Sequence, residues 1–143
     1  MSGTKVSGDF VAPKALTFTL AADGTASAVS NADIDSQTIE TLGNKTLWIA
    51  VFISSSSTPA GNLIVQGSLN NGTNWTDLVL EANKVYGVTF SSAASTIAYS
   101  ASADLAILIP LGDPPPFVRV RVDRGSGGAT GTRVTALYFQ RGV

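Results

Sequence analysis

The carboxylates of the first third of the chain are the first residues with chemistry to offer. Asp33-Ile34-Asp35, with Glu40 close behind, presents oxygen ligands of the kind a hard cation takes. The segment lacks the glycine and the ligand spacing of a calcium loop, so it reads as a solvated loop and no metal is expected. Glycoside hydrolysis needs two carboxyls about 5 to 10 Å apart in a cleft, and no motif singles out such a pair. Ser54 to Ser57 supply hydroxyls with no base beside them. Gly125-Ser126-Gly127-Gly128 has the glycine content of a phosphate cradle, but neither the Lys-Ser/Thr ending nor a helix to follow.

The sequence contains no cysteine and no histidine. Disulfides, thiolate nucleophiles, imidazole bases and the usual zinc and copper ligands are thereby removed together. Carboxylate chemistry, a Ser/Lys pair or a Mg²⁺ or Ca²⁺ site would remain, and none has a motif here. The expectation is a protein that is not an enzyme, with no catalytic residue, no cofactor and no metal. Asn44-Lys45-Thr46, Asn71-Gly72-Thr73 and Asn74-Trp75-Thr76 match the glycosylation acceptor pattern. No apolar run follows the start at Met1 to Asp9, so no signal peptide is expected and the three read as turn chemistry.

Binding residues are easier to find than catalytic ones. Trp75, beside the Asn70 to Asn74 turn, reads either as a stacking platform for a sugar or as a core tryptophan closing one end of the domain. All five arginines fall in the last segment: Arg119, Arg121, Arg124, Arg133 and Arg141 stand against Asp123 alone, while residues 1–118 hold four lysines and nine acids. Alternation places Arg119 and Arg121 with Phe117 on one face of their strand, and Arg133 and Arg141 with Leu137 and Phe139 on one face of theirs. An exposed mixture of arginine and aromatic groups is the composition of a protein interface. A solvated sheet face whose arginines pair with local acids is the other reading, and the sequence leaves both open. With Trp48 and Phe52 from the strand described next, the candidate interface set is Trp48, Phe52, Phe117, Arg119, Arg121, Arg133, Phe139 and Arg141.

The elements that must position these residues are strands. Period-two alternation broken by turn residues recurs from end to end, and no capped helical segment competes with it. Lys45 to Ile53 is the strongest strand, with Leu47, Ile49, Val51 and Ile53 on one face and Trp48, Ala50 and Phe52 on the other. Because both faces are apolar, the strand is expected to be covered twice: by a second sheet, and by a loop, helix or neighbouring subunit. Leu16 to Leu20 and Thr25 to Val29, around Ala22-Asp23-Gly24, read as a hairpin. Asn31 to Leu42 reads as a short helix or irregular connection. In Asn62 to Leu69, Leu63, Val65 and Leu69 share one face, and Asn71-Gly72 turns this strand into Trp75 to Leu80. Further strands are expected at Val85 to Phe90, Thr96 to Ser100, Leu105 to Ile109, Phe117 to Val122 and Arg133 to Phe139. Asp113-Pro114-Pro115-Pro116 must run outside any sheet interior, and Gly125 to Gly131 is a loop.

With 143 residues, 44% hydrophobic and only 13% charged, the chain is globular and of one-domain size. The fold class expected is all-β: a single-domain antiparallel β-sandwich, jelly-roll-like, with about 8 to 10 short strands. Residues 1–14 form an extended N-terminal arm and 15–143 the sandwich. A net charge of −1 without a lysine cluster argues against a nucleic-acid partner. The longest apolar runs, Leu47 to Ile53 and Leu105 to Leu111, fall short of the ~18 residues of a membrane-spanning helix, so no membrane partner is expected.

Gly61-Asn62-Leu63-Ile64-Val65-Gln66-Gly67-Ser68-Leu69-Asn70-Asn71-Gly72-Thr73-Asn74-Trp75-Thr76-Asp77-Leu78 resembles a hairpin found in many small virion proteins of tailed bacteriophages. Pro116 to Val122 and Val134 to Arg141 resemble the penultimate and closing strands of the same proteins. Size, a single domain and the two-sided apolar strand fit the capsid decoration, or cement, proteins best among them. The resemblance implies a homo-oligomer, a trimer rather than a dimer, that binds the major capsid protein on the outer surface of the phage head and stabilises the shell. It implies synthesis in the host bacterial cytoplasm and residence in the virion. A carbohydrate- or receptor-binding β-sandwich module of a phage tail or baseplate is the alternative.

Overall fold

A computed structural model describes residues 12–18, 28–29, 34–54, 61–81, 84–88, 93–99, 105–124 and 132–142. These residues form eleven strands: β1 (Lys14–Leu16), β2 (Ala28–Val29), β3 (Ile34–Asp35), β4 (Ile39–Glu40), β5 (Thr46–Ser54), β6 (Gly61–Ser68), β7 (Thr76–Asp77), β8 (Ile97–Tyr99), β9 (Leu105–Gly112), β10 (Phe117–Arg124) and β11 (Thr132–Arg141). No helix occurs among the described residues, and none long and apolar enough to cross a membrane. Residues 1–11 of the expected arm, the Ala22-Asp23-Gly24 turn and the Gly125 to Gly131 loop lie outside the described residues. Lys14, the last residue of the expected arm, opens β1 opposite Tyr138.

The first sheet has the order β1-β11-β5-β9, with β2 also on β11; the second has the order β3-β10-β6-β7, with β4 also on β10 and β8 also on β6. Every pairing is antiparallel. From the ends of the chain inward, β1 pairs β11, β3 and β4 pair β10, β5 pairs β9, and β6 pairs β7 and β8, so successive pairs alternate between the sheets. That wrapping of one long hairpin over two sheets is the jelly roll the strand pattern predicts.

Alternation decides which residues meet between the sheets. Leu47, Ile49, Val51 and Ile53 of β5, Ile107 and Ile109 of β9, Val134 and Ala136 of β11, Leu63 and Val65 of β6, and Val118, Val120 and Val122 of β10 form one buried cluster. Burial of each Val, Leu or Ile contributes about 1.5–3 kcal/mol. Ser36, buried where the sheets approach, completes the corner. Its amide donates to the Val120 carbonyl at 2.8 Å and its Oγ accepts from the Val120 amide at 2.8 Å.

Three expectations are corrected, and a fourth lies largely outside the described residues. Of the expected hairpin of Leu16 to Leu20 with Thr25 to Val29, residues 19–27 are not among the described residues, and the described ends do not pair with each other. β1 and β2 both run antiparallel to β11 at successive positions along its free edge, Leu16 opposite Ala136 and Val29 opposite Thr132, so they run in the same direction. The helix option within Asn31 to Leu42 gives way to β3 and β4, which edge β10. Leu69 does not join Leu63 and Val65; it lies beyond the end of β6 and is 82% exposed. Of Val85 to Phe90, only Tyr86 pairs among the described residues, through a bridge to Leu108.

One strand is longer than its pattern suggests. β9 passes through Pro110 to Gly112. Leu108 turns its amide and carbonyl away from β5, exchanging bonds of 2.9 Å each with Tyr86, so residue 110 of the same ladder phase faces the sheet edge as well. A proline at that position removes no bond to β5.

Candidate functional site

The outward face of the first sheet is apolar across its width. Trp48 stands between Phe139 and Pro110, Ala50 between Leu137 and Leu108, and Phe52 between Thr135 and Ala106. Ala15 extends the middle row beside Leu137. Phe52 is 43% exposed, Leu108 45% and Leu137 40%. Arg141, exposed and opposite Thr46, marks one end of the face.

Tyr86 is added to this face by a segment outside the regular strands. Its bridge to Leu108 places it beyond the edge of β9, and its ring stacks on Trp48 with centroids 6.1 Å apart and planes 23° from parallel. Gly87 makes the approach possible. Its φ is +96°, and a Cβ there would stand 2.1 Å from the Ala106 carbonyl oxygen. Tyr86 nevertheless keeps 58% of its surface exposed. Among the described residues, the second cover expected for the Trp48, Ala50 and Phe52 side of β5 is thus partial: Tyr86 shields one corner, and Phe52, Leu108 and Leu137 remain exposed.

Beside the aromatic pair a groove of about 400 Å³ opens between Val79 to Glu81, Lys84 and the Pro110 to Gly112 end of β9. A second hollow, of about 340 Å³, lies at the other hairpin, between Gly67 to Asn70, Asn74, Thr76, Leu78 and Pro115. Its amides are already engaged: Asn70 Nδ2 donates to Asn74 Oδ1 at 2.8 Å, and Asn70 Oδ1 accepts from the Asn74 amide at 2.9 Å.

The outward face of the second sheet has the opposite character. Arg121 holds Asp35 with both ends of the fork, Nε to Oδ1 at 2.7 Å and Nη2 to Oδ2 at 3.1 Å. Arg119 reaches the same carboxylate at 3.5 Å through Nη1. It also donates Nε to Gln66 Oε1 at 2.8 Å, and Gln66 passes the chain on to Asp77 Oδ1 at 2.8 Å. The Arg119 guanidinium lies 4.3 Å from the centre of the Trp75 ring. The hydrogen bonds from Arg121, reinforced by the charges of both arginines and opposed by burial, hold the Asp35 carboxyl below its ordinary range. Burial lowers the Arg119 guanidinium from its own ordinary value, which Asp35 counters.

The eight candidate residues therefore divide between two opposite surfaces. Trp48, Phe52, Phe139 and Arg141 share the outer face of the first sheet; Phe117, Arg119 and Arg121 lie on the second; Arg133 stands in β11 opposite Ser54, and its side chain is outside the described residues. Arg119 and Arg121 of β10 both pair with Asp35. Trp75 has one ring face under Arg119 and an edge against Gly72, where a Cβ would come within 3.0 Å. Sequence reasoning passed over Tyr86 and Leu108 as surface residues, since the bridge that brings them to this face joins segments far apart in the chain. Glu40 lies on β4 opposite Phe117, and no group of three or more acids placed to hold a metal occurs among the described residues.

No protein-family model matches the chain, and no curated protein shows significant similarity to it. Solved structures do share its outline. The CBM22-1–GH10 modules of the Clostridium thermocellum endo-1,4-beta-D-xylanase 10B, complexed with xylohexaose, match at a TM-score of 0.41 and 10% identity, over 90% of this chain and 25% of that one. The CBM22-2 xylan-binding domain of Paenibacillus barcinonensis Xyn10C matches at a TM-score of 0.39 and 8% identity, over 92% of this chain and 88% of that one. The chain thus spans about a quarter of the length of the first. At these scores the likeness goes no further than a shared β-rich outline, and it carries no argument about a ligand.

Proposed function

We propose that this protein is a non-catalytic structural subunit that docks through the outer face of its first sheet, acting as a decoration protein on the head of a tailed phage. The observation that carries the docking reading is the row structure of that face, where Trp48, Phe52, Tyr86, Leu108, Leu137 and Phe139 form one aromatic and aliphatic surface. Aromatic groups concentrated on a surface depleted of charge are the mark of a protein contact. Four strands about 4.8 Å apart and about 14 Å of β5 give the face an area of about 270 Å². A stable two-body complex needs about 800 Å² per partner. A contact of that size is weak alone and effective when repeated, as on a lattice of identical coat subunits where linked sites add their binding.

The phage assignment rests on the sequence resemblance of the Gly61 to Leu78 hairpin and of the strands that became β10 and β11. On this reading the partners are further copies of the chain, as a trimer, and the major capsid protein; nucleic acid and membrane have no part. The test is to measure the oligomeric mass of the purified protein and its co-sedimentation with empty, expanded phage heads. Binding that is lost in a Phe52→Glu, Leu137→Glu double variant of unchanged melting temperature supports the reading. A monomer that binds no shell contradicts it.

The stack of exposed Tyr86 on half-buried Trp48, beside a groove rimmed by Glu81 and Lys84, favours a second reading, a carbohydrate-binding module. Sugar rings stack on such surfaces, and the polar rim would meet hydroxyl groups. Glycan-array binding abolished by Trp48→Ala and kept by Trp75→Ala would establish this reading in place of the first.

A further inference from the structure

The hairpin tip contains Asn71-Gly72, the dipeptide most open to spontaneous deamidation, because glycine leaves the following amide nitrogen unshielded. In that reaction the Gly72 nitrogen loses its proton and attacks Asn71 Cγ. The new N–Cγ bond closes a succinimide as ammonia leaves, and water then opens the ring to aspartate or isoaspartate. We infer that Asn71 is a latent modification site held shut by the Ser68 hydroxyl, and opened only when the end of β6 frays.

Two features of the fold block the attack. The Gly72 amide, the nucleophile, donates to Ser68 Oγ at 3.1 Å. That oxygen also accepts from the Asn70 amide at 3.2 Å, and the hydroxyl donates to Asn70 Oδ1 at 2.9 Å, so Ser68 is fully engaged and only 4% exposed. The backbone is also fixed, with Asn71 at φ +58° and Gly72 at φ +82°, closed by the Thr73 amide on the Asn70 carbonyl at 3.3 Å. These are the dihedral signs of a type I′ turn, which ring closure would have to unwind. Isoaspartate at Asn71 would insert a methylene into the main chain where β6 must turn to β7. The product could not rebuild the turn, and Trp75, packed on Gly72, would lose its seat under Arg119.

The test is peptide mapping by mass spectrometry after incubation at mildly alkaline pH, comparing the folded protein, the same protein in concentrated urea, and Ser68→Ala. The expected result is conversion of Asn71 at least tenfold slower in the folded protein than in urea, with Ser68→Ala shifted several-fold toward the unfolded rate. Equal rates in the folded and unfolded protein overturn the inference, as does a folded Ser68→Ala variant with the wild-type rate. Should Ser68→Ala fail to fold, hydrogen exchange of the wild-type Gly72 amide decides: strong protection supports the inference, and exchange at the rate of a free peptide overturns it.

Discussion

The Tyr86 ring lies against Trp48, centroids 6.1 Å apart, although the two residues come from segments that do not pair with each other. Leu108 joins them: it bonds to Tyr86 through the backbone and sits opposite Ala50, two residues along from Trp48. Such a stack contributes about 0.5–1.5 kcal/mol beyond buried area. Tyr86→Ala is expected to lower the melting temperature by about 2–6 °C, as differential scanning calorimetry would measure.

Gly87 is expected to matter more than the ring it positions. Gly87→Ala sets a Cβ against the Ala106 carbonyl at a φ that side chains rarely adopt. The strained backbone alone costs about 1–3 kcal/mol. The near-UV circular dichroism of the Trp48–Tyr86 pair should collapse in this variant at temperatures where the far-UV spectrum is unchanged.

Asp35 makes stability depend on pH. Its folded carboxyl is held below the ordinary range, so in acid the unfolded chain takes up the proton more readily than the folded one. Stability from this site is complete above the usual carboxylate value of about 4 and is lost as pH falls through the lowered folded value. Urea midpoints between pH 7 and pH 2.5 should fall for the wild type across that acidic interval. Asp35→Asn should be less stable at pH 7 and converge with the wild type at the acidic end.

Opposite faces of β5 should give opposite outcomes. Ile49, fully buried at the centre of β5, is expected to cost about 2–5 kcal/mol as Ile49→Ala. Phe52→Ser on the other side of the same strand should change stability by about 1 kcal/mol or less. Chemical denaturation of the two variants checks the contrast.

That contrast was legible in the sequence, because strict alternation in Leu47 to Ile53 assigns every residue to a face. The same rule placed β6, β10 and β11 and the partition of their residues. It misplaced Leu69, where the strand ended one residue earlier. A turn signal shows where a chain bends, not which strand it meets next: Leu16 and Val29, the described ends of the segments expected to form a hairpin, lie on the long-range partner β11. The clustering of Phe52, Leu137 and Phe139 follows from the register of β5 with β11, and that of Leu108 from its register with β9; neither register has a local signature. For Arg119 and Arg121 the alternation left a protein interface and an acid-paired sheet face both open, and only the pairing of β3 with β10 set Asp35 beside them.

The docking face is tested most directly by sedimentation equilibrium over a wide concentration range, with wild type and the Phe52→Glu, Leu137→Glu double variant compared at matched folding. The account predicts a wild-type average mass that rises with concentration toward a small oligomer, and a variant that stays monomeric throughout. A wild type that remains monomeric at the highest concentration, or a variant that assembles equally well, would contradict it.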